Sequence, residues 1–143
     1  MAALLTGHCL CGGVRYEVSE PLADAGYCHC TRCQRRTGAA AAASARVRPG
    51  SFAVVAGEDL IKDYDPGDGG FLKSFCTACG SALYSRHPTD ASILSIRLGT
   101  VDGDPGIRPL YHQRVETAAV WEPLPDDGLP RYDGPAPGVR APL

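Results

Sequence analysis

Apolar and polar residues alternate along Val14-Arg15-Tyr16-Glu17-Val18. A period of two places Val14, Tyr16 and Val18 on one face, the pattern of a half-buried strand. Ala43, Ala45 and Val47 alternate in the same way with Ser44, Arg46 and Arg48, predicting a second strand. The run Ala39–Ala43 taken alone favours helix, and Pro49-Gly50 ends the segment. Phe52–Val55 and Leu60–Tyr64 are short strand candidates. Pro66-Gly67-Asp68-Gly69-Gly70 reads as a turn. Phe71–Phe75 then enters a cysteine loop and Ala82-Leu83-Tyr84 leaves it, as the arms of a hairpin would. Ile93–Leu98, Ile107–His112 and Ala118–Trp121 are later strand candidates. No long segment carries clean helical periodicity, and Thr31–Thr37 is the best helical turn.

The chain has 143 residues, the length of one domain. Seventeen glycines and twelve prolines stand against ten aromatics. That composition fits a mainly β, loop-rich chain with a modest core that a staple would strengthen. Residues 1–134 are expected to form the single domain, and 135–143 (Pro-Ala-Pro-Gly-Val-Arg-Ala-Pro-Leu) a flexible C-terminal tail. No internal repeat is visible beyond the cysteine pairs. The net charge of −2 argues against a nucleic-acid partner. No apolar run is long enough to span a membrane. Met1–Cys9 lacks the basic start and long apolar stretch of an export signal, so a cytoplasmic location is expected. A homodimer is the base-rate expectation for assembly.

Seven cysteines change the picture most. Cys9 and Cys11 form C-x-C; Cys28, Cys30 and Cys33 form C-x-C-x-x-C; Cys76 and Cys79 form C-x-x-C. An odd number argues against a closed disulfide framework, and such short separations make poor disulfide loops. They do allow neighbouring sulfurs to turn toward one ion, and zinc is the default for an all-sulfur site. Cys76-Thr77-Ala78-Cys79-Gly80 reads as a zinc knuckle needing two more thiolates, which Cys9 and Cys11 can supply. That closed four-cysteine site would be structural. Cys28, Cys30 and Cys33 would leave a fourth position open, the pattern of a catalytic zinc. The spacing favours this division over several alternatives. These are a second structural zinc completed by His29 or His8, an iron–sulfur or rubredoxin-like iron centre, a redox C-x-x-C, and free buried thiols.

Other signals are weaker. Asp63–Asp68 has the look of a calcium loop but lacks its glycine and terminal glutamate, and reads as a solvated turn. Arg32, Arg35 and Arg36 cluster beside the cysteine trio. They read either as solvated charge or as a clamp for substrate carboxylates. His112 and Trp121 read as a structural histidine and a core aromatic.

Several stretches together resemble the family of glutathione-dependent formaldehyde-activating enzymes and centromere protein V. They are Gly7–Tyr16, Cys28–Gly38, Phe75–Ser81, Leu98–Pro105, Pro109 with His112, Trp121, and Leu129–Tyr132. The resemblance implies a β-tent fold of several small antiparallel sheets stapled by zinc, with little helix. It implies two zincs per chain, with Cys9, Cys11, Cys76 and Cys79 at the structural site and Cys28, Cys30 and Cys33 at the active site. It implies a carbon–sulfur lyase that joins formaldehyde to glutathione, giving S-(hydroxymethyl)glutathione. A related aldehyde or another low-molecular-weight thiol is the expected variation. The centromere relative makes a non-catalytic zinc-stabilised binding module the alternative.

Overall fold

Leu5–His8 (β1) and Arg15–Val18 (β2) pair antiparallel around the turn that carries Cys9 and Cys11. The alternation expected in β2 is present: Tyr16 and Val18 are buried, while Arg15 is exposed. The computed structural model describes residues 2–143. The chain continues through Ala23–Cys28 (β3), the single α-helix Thr31–Thr37 (α1), Ala42–Arg46 (β4), Phe52–Ala56 (β5) and Ile61–Tyr64 (β6). Leu72–Cys76 (β7), Ala82–Arg86 (β8), Leu94–Arg97 (β9), His112–Gln113 (β10) and Arg131–Tyr132 (β11) follow. The protein is mainly β with little helix.

The strands collect into two sheets. A three-stranded sheet has the order β1-β2-β5, and an eight-stranded sheet the order β11-β10-β3-β4-β9-β8-β7-β6. Most pairings are antiparallel, but β10 runs parallel to both β3 and β11. Tyr16, Val18, Leu22, Ala25, Ala45, Val47, Leu94 and Ile96 form one apolar cluster. The large sheet presents Ala45, Ile96 and Tyr84 to it, which are cross-strand partners. Strand alternation then sends Ser44, Ser95 and Arg97 to the opposite face. A second cluster of Cys9, Val14, Cys76 and Leu83 lies where the two cysteine loops meet.

Two local expectations are corrected, and two strands are added. β1 and β3 are strands that alternation did not reveal. Ala118–Trp121 is not a strand: a short 3-10 turn over Val115–Thr117 leads into bends. Trp121 is exposed at 65%, so it is not a core residue. Residues 135–143 touch the large sheet. Arg46 donates to the carbonyls of Gly138 (3.2 Å) and Ala141 (2.6 Å), and the Ala136 amide donates to Gln113.

Gly26 in β3 shows how tightly that strand is covered. A Cβ there would overlap the Tyr111 ring. Gly26→Ala is therefore expected to destabilise by about 1–3 kcal/mol through displacement of that ring. A denaturant midpoint unchanged from wild type would contradict it.

Candidate functional site

The described cysteines gather into two groups, Cys9/Cys11/Cys76/Cys79 and Cys28/Cys30/Cys33. Within each group the sulfurs lie within 4.8 Å of one another. All seven are free thiols.

Two tight turns build the first group. The Gly12 amide bonds the Cys9 carbonyl at 3.0 Å, and the amides of Val14 and Gly13 approach the sulfurs of Cys9 (3.3 Å) and Cys11 (3.4 Å). In the facing turn the Gly80 amide closes on the Cys76 carbonyl at 2.7 Å, with Gly80 at φ +78°. Glycine takes that left-handed conformation without strain. The Ser81 hydroxyl, 3.2 Å from the Cys79 sulfur, is the main influence that brings the Cys79 thiol down to about 5. Ser81 also accepts the Leu10 amide at 2.9 Å and so ties the two turns together. Cys9 and Cys76 are buried against Val14 and Leu83, Cys79 is half-buried and Cys11 is exposed; the four sulfurs together offer a complete tetrahedral donor set.

The second group sits where β3 gives way to α1. Cys30 caps the helix, its sulfur accepting from the Cys33 amide at 3.3 Å, and Gly38 closes the other end in a left-handed conformation. Bonds from Cys28 and Cys33 bring the Cys30 thiol down to about 2, while bonds to Cys30 and Cys33, with burial, push Cys28 well up. The trio alone thus shares ionisation unevenly, and ionising all three sulfurs requires a cation. An all-sulfur donor set of three, with sulfurs this close, fits zinc.

The histidines have other partners. Nε2 of His29 lies 2.8 Å from Nδ1 of His112, and Nε2 of His112 lies 2.7 Å from Asp127. Both rings are buried, and His112 stacks on Tyr27. Gln34 donates to the His29 carbonyl at 2.9 Å and so fixes the loop between Cys28 and Cys30. His8 pairs with Asp102 at 2.6 Å. Neither His8 nor His29 joins a cysteine group among the described residues.

A cavity of about 710 Å³ opens beside the trio and is lined by Cys28, Cys30 and Cys33. Its wall carries six cations, Arg32, Arg46, Lys73, Arg97, Arg114 and Arg140, against three carboxylates, Asp24, Asp68 and Glu116. Burial pushes the Lys73 ammonium and the Arg97 guanidinium down, while the neighbouring cysteine charges act the other way. Of the three arginines singled out from the sequence, Arg32 stands on the rim and pairs with Asp68. Arg36 lies over the Phe75 ring and lines a separate, shallower depression; Arg35 is exposed and lines neither. Sequence reasoning did not single out Lys73 and Arg97, because a charged residue in an alternating strand reads as solvent-facing. The C-terminal segment reaches the same cavity: Arg140 donates to the Gly69 carbonyl at 2.9 Å and stacks 4.7 Å from the Phe71 ring centre.

A sequence model described as glutathione-dependent formaldehyde-activating enzyme matches residues 4–117, most of the chain. The chain belongs to that family. It is similar to a Rhodobacter sphaeroides protein of known crystal structure, with 27% identity and a TM-score of 0.56. The match covers 89% of this chain and 98% of that one. No curated protein matches it. Membership of the formaldehyde-activating family supports a formaldehyde-activating function, and both cysteine groups are compatible with metal. No helix among the described residues is long and apolar enough to cross a membrane.

Proposed function

We propose that the chain is a zinc-dependent carbon–sulfur lyase that joins formaldehyde, or a related small aldehyde, to glutathione or another low-molecular-weight thiol. The observation that carries this reading is the contrast between the two cysteine groups. One group of four has Cys9 and Cys76 buried among apolar side chains with Cys79 packed against them, while the three sulfurs of the other group line a large cavity rich in cations. Cys9, Cys11, Cys76 and Cys79 would hold a structural zinc, and Cys28, Cys30 and Cys33 a second one. When bound at the trio, zinc supplies the positive charge that ionises a thiol whose ordinary pKa is about 8.5.

The chain's own residues do the rest. The trio brings one edge of the cavity to the thiol, and the cationic wall favours anionic substrates over neutral ones. Arg32 is the arginine of its cluster placed to meet a thiol's distal carboxylate, by exchanging Asp68 for it. The C-terminal segment lines the same space through Pro135, Val139 and Arg140. In the reaction sulfur adds to the carbonyl carbon, the carbonyl π pair moves to oxygen, and the proton lost from the thiol ends there. No electron leaves the pair of reactants. Seven free thiols suit a reducing cytoplasm.

Exchange NMR of formaldehyde with glutathione tests the reading. The zinc-loaded protein is expected to accelerate hemithioacetal formation and breakdown. Unchanged exchange with every thiol tried would replace the enzyme with a zinc-stabilised binding module.

A further inference from the structure

The cavity face of the large sheet is ordered in rows of cross-strand partners. Cys28 lies opposite Ala42; Gly26, Ser44 and Arg97 form the next row; Arg46, Ser95, Ser85 and Lys73 form a third. Neighbouring rows are two residues apart along the strands, about 7 Å. Arg97 bridges the second and third rows, donating to the Ser44 hydroxyl at 2.8 Å and the Ser85 hydroxyl at 2.9 Å. Lys73 donates to the same Ser85 oxygen at 3.4 Å.

The cluster of Lys73, Arg97, Ser44 and Ser85 therefore holds more donors than acceptors. Arg97 is 9% exposed, and its Nε is buried without a partner. Among the described residues, neither Arg97 nor Lys73 has a carboxylate within 4.0 Å. Ser85 is 3% exposed and accepts from both cations, so its own proton is left over; the Ser44 proton is too. Buried donors of this kind are costly unless an acceptor arrives. The cysteine trio offsets only part of the charge: three thiolates on a divalent ion carry a net charge of about −1, against two cations here.

We propose that Lys73, Arg97, Ser44 and Ser85 form a carboxylate subsite, and that the carbonyl substrate of this chain is a short oxo acid. This rests on the thiol–aldehyde reading above and names the aldehyde's class. Depth in the cavity decides between the two reactants. The subsite begins one row from Cys28 with Ser44 and Arg97, within reach of an acid whose carboxylate adjoins its carbonyl, and Arg97 links it to Ser85 and Lys73 in the row beyond. A peptide thiol anchored by its sulfur carries its carboxylates several bonds farther, toward Arg32 on the rim. Addition of R–S–H across the aldehyde C=O forms the C–S bond, sends the π pair to oxygen and places the thiol proton there. The product is a 2-hydroxy-2-thio acid, and the carboxylate takes no part in the bond changes.

Isothermal titration of the zinc-loaded full chain with glyoxylate, and with glycolaldehyde as a neutral aldehyde of similar size, tests the subsite. Glyoxylate is expected to bind about tenfold or more tightly than glycolaldehyde. Lys73→Met should erase that preference with zinc content unchanged, and Lys73→Arg should retain most of it. If circular dichroism shows that Lys73→Met does not fold, Ser85→Ala is expected to reduce the same ratio. Equal affinities in the wild type, or a full preference surviving in a folded Lys73→Met or Ser85→Ala protein, would overturn the subsite. Accelerated exchange with formaldehyde but no preference for glyoxylate overturns the subsite alone. A glyoxylate preference without exchange for any thiol supports the subsite and overturns the thiol–aldehyde reading.

Discussion

Replacing Cys76 by serine is expected to abolish the cooperative fold. Cys76 is fully buried, and its group joins the β1–β2 turn to the β7–β8 turn. The four sulfurs come from parts of the chain 65 residues apart, so a shared ion closes a long loop. Structural zinc sites supply about 10–16 kcal/mol, while domains of this size are stable by only about 5–15 kcal/mol. In the apolar cluster around the group Val14 and Leu83 are the buried non-cysteine members, with Val54, Leu60, Ile61 and Tyr84 half-buried around them. The cluster cannot replace that contribution. The near-ultraviolet dichroism of Cys76→Ser should be lost, and a strong chelator should do the same to the wild type. A variant melting cooperatively near the wild-type temperature would show that apolar packing alone holds the two turns.

The second large effect is functional and leaves the fold in place. Cys30→Ser removes one ligand from the open group, at a half-buried helix cap. The helix keeps its cap, because serine's oxygen can accept the Cys33 amide as the sulfur does. Thermal stability should therefore stay close to wild type. Thiol–aldehyde exchange should fall by more than about 100-fold, since changing even an outer partner of a metal ligand costs about 10–100-fold. Exchange persisting at the wild-type rate in folded Cys30→Ser would place the chemistry elsewhere.

The parts of this account legible in the sequence share a physical basis. Cysteine spacing reports which sulfurs can turn toward one point, and the closed and open groups follow the C-x-C and C-x-x-C pairs. Alternation reports a strand with one wet face, and it marks β2 and β4. β3 carries no alternating signal, because Ala23-Asp24-Ala25-Gly26-Tyr27-Cys28 sets small Ala25 in the core and Gly26 under the Tyr111 ring. The parallel pairing of β10 with β3 joins residues more than 80 positions apart, beyond any local pattern. Ala118–Trp121 has strand-like composition, yet the exposed Val120 and Trp121 have no face to bury against. Two cations of the cavity give no signal for the opposite reason: Lys73 and Arg97 sit where alternation calls for solvent, and the sheet turns that face into a cavity wall.

The central claim is that the cysteine trio is a second metal site, distinct from the closed one. Zinc per chain, measured by elemental analysis of wild type and Cys30→Ser purified gently without chelator, tests it most directly. The account predicts about two zincs in the wild type and about one in Cys30→Ser, one per closed or open sulfur group. A single zinc in the wild type, unchanged in Cys30→Ser, would contradict it and leave the cavity without a metal.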